Sequence, residues 1–224
     1  YERKFERYLA RMALEKYPRE LDQYLSSALA AKQPTSHLEW AAKALSIEAR
    51  AKAFLATWPT IKDKPLSAEH FITACGLLRS PQVVTALTPV LAANGSEYLV
   101  TMANEHFAQI ASPQLAKMLK PACLRMLTSG DADQARTAAI AADRLTIDGL
   151  DAAMAGLLPG KGNDPAFTAA AVHVLARAPT SHLETIKSVL AADRGAAAHI
   201  AALAALAAVD AESAKLLAPK VAKG

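Results

Sequence analysis

A ten-residue phrase occurs twice in this chain and constrains its fold more than any other feature. Ser80-Pro81-Gln82-Val83-Val84-Thr85-Ala86-Leu87-Thr88-Pro89 is echoed by Ser112-Pro113-Gln114-Leu115-Ala116-Lys117-Met118-Leu119-Lys120-Pro121. The two copies start 32 residues apart, and a fixed offset of that size marks a repeat with one supersecondary unit per period. Pro81 and Pro113 suit the first turn of a helix, where the missing N–H costs nothing. Pro89 and Pro121 then fall inside the same helices, where each removes a backbone hydrogen bond and bends the rod. Pro219 follows Leu217 as Pro89 follows Leu87 and Pro121 follows Leu119, and it lies 98 residues beyond Pro121, close to three periods.

Composition agrees with helices throughout. Apolar residues make up 52% of the 224 positions, aromatic residues only 5%, and glycine is scarce. No stretch joins β-branched residues to two-residue alternation, so the expected fold class is all-α. From Ser80 onward the pattern predicts helix pairs at about 81–93 with 96–109, 113–128 with 131–143, 146–158 with 165–176, and 181–192 with 195–208. Asn94-Gly95-Ser96, Ser129-Gly130-Asp131, Pro159 to Pro165 and Asp193-Arg194-Gly195 punctuate them. A helix pair of about 33 residues cannot bury its apolar face alone, so neighbours must stack. Leu115, Met118, Leu119, Ala122 and Met126 form one expected inward stripe. Phe167, Ala170, Ala171, Val174 and Leu175 form another, while Ala138, Ala139, Ala141 and Ala142 would let helices approach closely.

Residues 1–65 read as separate N-terminal helices that pack on or begin the array carried by 66–224. The first spans about 1–17, with Tyr1, Phe5, Tyr8, Leu9 and Met12 as its expected buried stripe. Pro18 opens a second helix that turns Leu21, Tyr24, Leu25 and Leu29 inward. Thr35 or Ser36 caps the next, a break falls near Ser46, Trp58 to Pro65 reads as a loop, and Ser67 caps a helix ending near Arg79. Pro34-Thr35-Ser36-His37-Leu38-Glu39 recurs as Pro179-Thr180-Ser181-His182-Leu183-Glu184, which predicts a helix-start turn in both places. Since Pro219 keeps the rhythm, Gly224 falls inside a repeat, and a chain opening on Tyr1 reads as a segment of a longer array.

The formal net charge is +4, and its placement is uneven. Residues 1–64 hold 12 Lys and Arg against 8 Asp and Glu, whereas 65–224 hold 13 of each. Nucleic-acid binders show a basic stripe, which the balanced repeat region lacks; the N-terminal excess reads as solubility charge. Cys75 and Cys123 have no metal or redox spacing and sit among apolar neighbours, as buried small hydrophobes do. The most apolar run, 196–209, is too short to span a bilayer. None of His37, His70, His106, His173, His182 and His199 pairs with another at three or four residues, so no zinc motif forms. Gly156 to Gly162 lacks the spacing and the hydroxyl of a phosphate loop and reads as a linker. No nucleophile elbow occurs, and the expectation is no cofactor and no catalytic site. Candidate partner-binding residues are those that second helices would present: His106, Arg136, His173 and Arg177.

Pro89, Pro121, the turn acids Asp131 and Asp133, and the basic Arg136 and Arg144 resemble the short-repeat members of the HEAT-like α-solenoids over residues 80–224. That resemblance implies a right-handed α-solenoid of antiparallel helix pairs whose concave face holds a protein partner. Neither the Trp-Leu-Gly-Tyr signature of tetratricopeptide repeats nor the Thr-Pro-Leu-His turn of ankyrin repeats is present. Tyr1-Glu2-Arg3-Lys4-Phe5-Glu6-Arg7-Tyr8-Leu9 with Glu15-Lys16-Tyr17-Pro18 resembles the helical region of planctomycete-type membrane-bound dehydrogenases, which carry a C-type haem domain. This likeness implies a scaffold or spacer inside a larger exported, periplasmic redox protein, although the chain itself has no Cys-x-x-Cys-His. A different branch of HEAT-like solenoids resembles DNA-repair glycosylases, an alternative that the charge balance of 65–224 disfavours.

Overall fold

The computed structural model describes residues 2–27, 29–62, 65–161, 164–192 and 194–221. Tyr1, Asp63, Lys64, Gly162, Asn163, Asp193 and Gly224, to which the sequence reading assigns places, lie outside them. Among the described residues there are 14 α-helices, two short 3-10 turns and no strand. The chain divides into two compact units, 1–90 and 91–224.

The N-terminal unit contains α1 (Glu2–Leu14), α2 (Pro18–Leu25), a 3-10 turn (Ala30–Lys32), α3 (Thr35–Ala42), α4 (Ile47–Ile61), α5 (Ala68–Gly76) and most of α6 (Pro81–Ala92). Helices α2, α3 and α4 pack on one another, and Leu21, Leu45, Ala51, Phe54 and Trp58 are buried. Ser46 and Ser67 start α4 and α5 as expected, accepting hydrogen bonds from the N–H groups of Ala49 at 3.3 Å and His70 at 3.2 Å.

Several expectations for this unit are corrected. The stripe on α1 is not buried: Phe5 is 63% exposed, Tyr8 58% and Met12 45%. An amphipathic face enters a core only where another element covers it, and α2 to α4 close on one another instead. Likewise Leu29 is exposed while Leu21 of the same expected face is buried. Helix α3 begins at Thr35, so the cap position falls to Pro34, which has no side-chain acceptor. Helix α4 runs through Pro59 to Ile61, where a loop was expected from Trp58. Proline near a helix end forfeits one bond and is tolerated when the rest of the turn is packed, and Trp58 is buried.

In the C-terminal unit α7 (Glu97–Ile110), α8 (Pro113–Thr128), α9 (Ala132–Arg144), α10 (Asp151–Lys161), α11 (Pro165–Leu175), α12 (Leu183–Leu190), α13 (Ala196–Ala207) and α14 (Ala211–Val221) follow in order. Helices α7, α9, α11 and α13 pack successively in one row; α8 packs on α7, α9 and α10, while α12 and α14 pack on α13. Both inward stripes and the four alanines of α9 are buried as the spacing requires. Ser112 caps α8, accepting from the N–H of Leu115 at 3.2 Å. Asp131 and Asp164, one period apart, cap α9 and α11 by accepting two backbone N–H bonds each at 2.8–3.0 Å.

Interior prolines recur more widely than the phrase announces, at Pro59, Pro89, Pro121, Pro159 and Pro219. Because α10 runs through Pro159 to Lys161, that part of the expected linker is helical. The start of α10 also falls later than the pattern suggests, at Asp151. Ahead of it Thr146 and Gly149 adopt positive φ of 55° and 72°, which interrupts any helix. A Cβ on Gly149 would push aside the mobile end of the Lys120 side chain, but the positive φ itself strains any side chain there. Gly149→Ala is therefore expected to destabilise the chain by about 1–2 kcal/mol, read as a lower urea midpoint with an unchanged slope.

Candidate functional site

The sequence-derived candidates all lie in the C-terminal unit. His106 is half-buried on α7. Arg136 on α9 donates to Asp133 at 2.6 Å and to Asp164, the cap of α11, at 3.4 Å. His173 and Arg177 converge on Asp143: the imidazole Nδ1 lies 3.0 Å from one carboxylate oxygen, and the guanidinium lies 3.7 Å from the other. Arg177 also donates to the carbonyls of Ala142 at 3.0 Å and Asp143 at 2.9 Å. His173 and Arg177 thus form one cluster with the C-terminal end of α9, while Arg136 meets the N-terminal end of α11.

The same arrangement recurs elsewhere in the unit. Arg125 near the end of α8 donates to the carbonyls of Ala92 at 3.0 Å and Ala93 at 2.7 Å, to Ser96 at 2.9 Å and to Glu97 at 3.1 Å. Arg144 donates to the carbonyl of Asn104 at 3.0 Å and stacks 5.0 Å above the Phe107 ring. In return the Asn104 amide donates to the Thr137 carbonyl at 2.9 Å. The Arg125 bonds to Ala92 and Ala93 and the Asn104–Thr137 bond span 32–33 residues, about one period, whereas Arg144 reaches back 40 residues to the middle of α7. The last carbonyls of a helix have no partner within it, and a cation there is favoured by the helix dipole as well. Sequence reasoning singled out Arg136 and Arg177 but missed Arg125; its place 32 and 33 residues after Ala93 and Ala92 is the signal that could have found it.

Electrostatics follow from these contacts. Burial pushes the Glu97 carboxyl up, but its backbone hydrogen bond and the Arg125 guanidinium together hold it below the usual carboxylate range. The His182 imidazole, 2.9 Å away, hydrogen-bonds Asp151 and holds its carboxyl below the ordinary value. Burial pushes the thiols of Cys75 and Cys123 up to about 12, so both are protonated and unreactive at neutral pH. Among the described residues no group of three His, Cys, Asp or Glu side chains could hold a metal ion, and no helix is long and apolar enough to cross a membrane.

A cavity of about 580 Å³ lies within the N-terminal unit, where no functional residue was expected. Leu25, Phe54, Ile72 and Leu77 give it apolar walls, and its cations are Arg11, Lys43 and Arg50. The N-terminal basic excess, read from sequence as solubility charge, was the available signal. Arg50 stands out because its Nε is buried and has no protein hydrogen-bond partner. By contrast the hydroxyls of Thr57 and Thr60 donate to the carbonyls of Phe54 at 2.8 Å and Thr57 at 2.7 Å.

No protein-family profile, characterised protein or solved structure matches this chain.

Two outcomes test the polar contacts. Arg177→Met should destabilise the chain by about 1–2 kcal/mol, since it removes two hydrogen bonds to the end of α9 together with the Asp143 ion pair. Arg177→Lys should recover less than half of the loss, because an ammonium lacks the guanidinium fork; chemical denaturation reads both. The depressed Asp151 carboxyl contributes stability that is present above its unfolded pKa of about 4 and is lost as pH falls through its lower folded value. His182→Ala should accordingly flatten the acid limb of a urea-midpoint profile and lower the midpoint above pH 4.

Proposed function

We propose that this chain is a helical-repeat scaffold without catalytic chemistry of its own, a right-handed α-solenoid of short HEAT-like repeats that holds a protein partner or flanking domains of the same polypeptide. The observation that carries this reading is the one-period register of the polar contacts made by Arg125, Asn104 and Arg177. A repeat that ties its cations into its predecessor gains an extended surface at the cost of no local active site, and extended surfaces are what stacked repeats use to bind. The successive packing of α7, α9, α11 and α13 supports the assignment of second helices to one side. On that side His106 and His173 are the partner-facing candidates, with Arg136 and Arg177 setting the charge between them. The likeness of the first 18 residues to dehydrogenase-associated helices supports an exported, periplasmic redox protein as the parent.

The test is partner recovery from native extract by the wild-type chain and by the His106→Ala, His173→Ala double variant, which spares the arginines that hold the fold. Loss of about tenfold in retained partner is expected if these side chains anchor the interface. Equal recovery by both forms would remove them from it, and recovery of no partner by either would sink the interaction role.

A further inference from the structure

We propose that the cavity of the N-terminal unit binds a small amphipathic carboxylate, its apolar body against α4 and α5 and its head on Arg50. This goes beyond the scaffold reading, which concerns the other unit, and stands or falls separately from it.

Size comes first. At about 580 Å³ the cavity falls within the roughly 300–1,000 Å³ of small-molecule sites, which are mostly apolar with a few placed polar groups. Charge then selects the ligand's sign. Among the described residues Arg11, Lys43 and Arg50 line the cavity and no Asp or Glu does, so a cation is disfavoured and an anion favoured. Arg11 is already engaged, donating from its Nε to Glu15 at 2.8 Å, and Lys43 is exposed. Arg50 is different. Its Nε makes no hydrogen bond in the protein, a condition that costs free energy unless a turn of the side chain towards the cavity brings it to an acceptor. A carboxylate is the natural complement, because its two oxygens match the guanidinium fork.

The remaining walls choose the body. Thr57 and Thr60 spend their hydroxyl protons on helix carbonyls, so they ask nothing further of a ligand. Leu25, Phe54, Ile72 and Leu77 offer hydrocarbon. A polyphosphate or sugar would leave its many polar groups against these side chains, whereas an alkyl or aryl chain would gain from burial there. One charged head on an apolar body satisfies both halves of the lining.

Two features make the idea measurable. The chain's two tryptophans, Trp40 and Trp58, lie in this unit, and the Trp58 ring packs 5.5 Å from that of Phe54, itself a wall residue. Gly76, at the end of α5, also lines the cavity, and a Cβ there would stand in open space. A larger side chain at 76 can therefore fill the cavity without displacing a neighbour.

Tryptophan fluorescence and calorimetry should be recorded while titrating decanoate, decanol and decyltrimethylammonium below their micellar concentrations. Saturable one-to-one binding of decanoate is expected, at least about tenfold tighter than decanol, with the cation weakest. Arg50→Gln should lose that tenfold preference while keeping the decanol affinity. Gly76→Leu should weaken both by about tenfold or more at an unchanged melting temperature. Equal affinity for decanoate and decanol would overturn the proposal, as would the absence of saturable binding. So would full decanoate affinity in Gly76→Leu, which decides the matter even if Arg50→Gln fails to fold.

Discussion

The C-terminal unit depends on arginines that reach back about one period to the carbonyls at the end of an earlier helix. Arg125 covers those of Ala92 and Ala93, and Arg177 those of Ala142 and Asp143. In both cases the donor lies about one period further along the chain, Arg125 near the end of α8 and Arg177 in the turn after α11. Carbonyls in the last turn of a helix have lone pairs to spare, and a cation there is favoured by the helix dipole. A guanidinium suits this position, since it reaches on a flexible stem and donates two or more bonds from one plane. Packing and polar satisfaction therefore act at the same place: the apolar rows bring the helices together, and the cations bond to their ends.

That economy also explains the behaviour of the polar residues that looked functional in the sequence. A histidine or arginine on a helix face can serve a partner or a neighbouring helix, and the sequence does not distinguish them. His173 and Arg177 share Asp143, and Arg136 spans from its own helix to the cap of the next. Any partner that meets this row meets side chains whose positions are already set by the fold, which lowers the ordering cost of binding.

The N-terminal unit follows a different logic. Its helices are joined less regularly, its first helix exposes an apolar stripe, and three of its cations line a cavity. Arg50 is the inverse of Arg125. One guanidinium makes four hydrogen bonds to protein acceptors, while the other has a buried donor with no protein acceptor. The basic excess of residues 1–64 was visible in the sequence. Its concentration around one cavity was not, because Arg11, Lys43 and Arg50 share no spacing that would mark a single face.

By itself the sequence determined the all-helical class, most helix boundaries after Ser80, the buried stripes of α8 and α11, and the burial of both cysteines. These follow from local periodicity, capping residues and proline position, which act within a few residues. Tertiary structure alone decided the rest. The hexapeptide Pro-Thr-Ser-His-Leu-Glu is the plainest case: from Thr35 onward it is α-helical, whereas its copy at Pro179–His182 is a 3-10 turn with His182 bonded to Asp151. Six identical residues take two backbone forms, and in one copy the histidine has a partner 31 residues away that local sequence does not announce. The stripe of α1 makes the same point from the other side. Periodicity says which face of a helix is apolar, but only the arrangement of other elements says whether anything covers it.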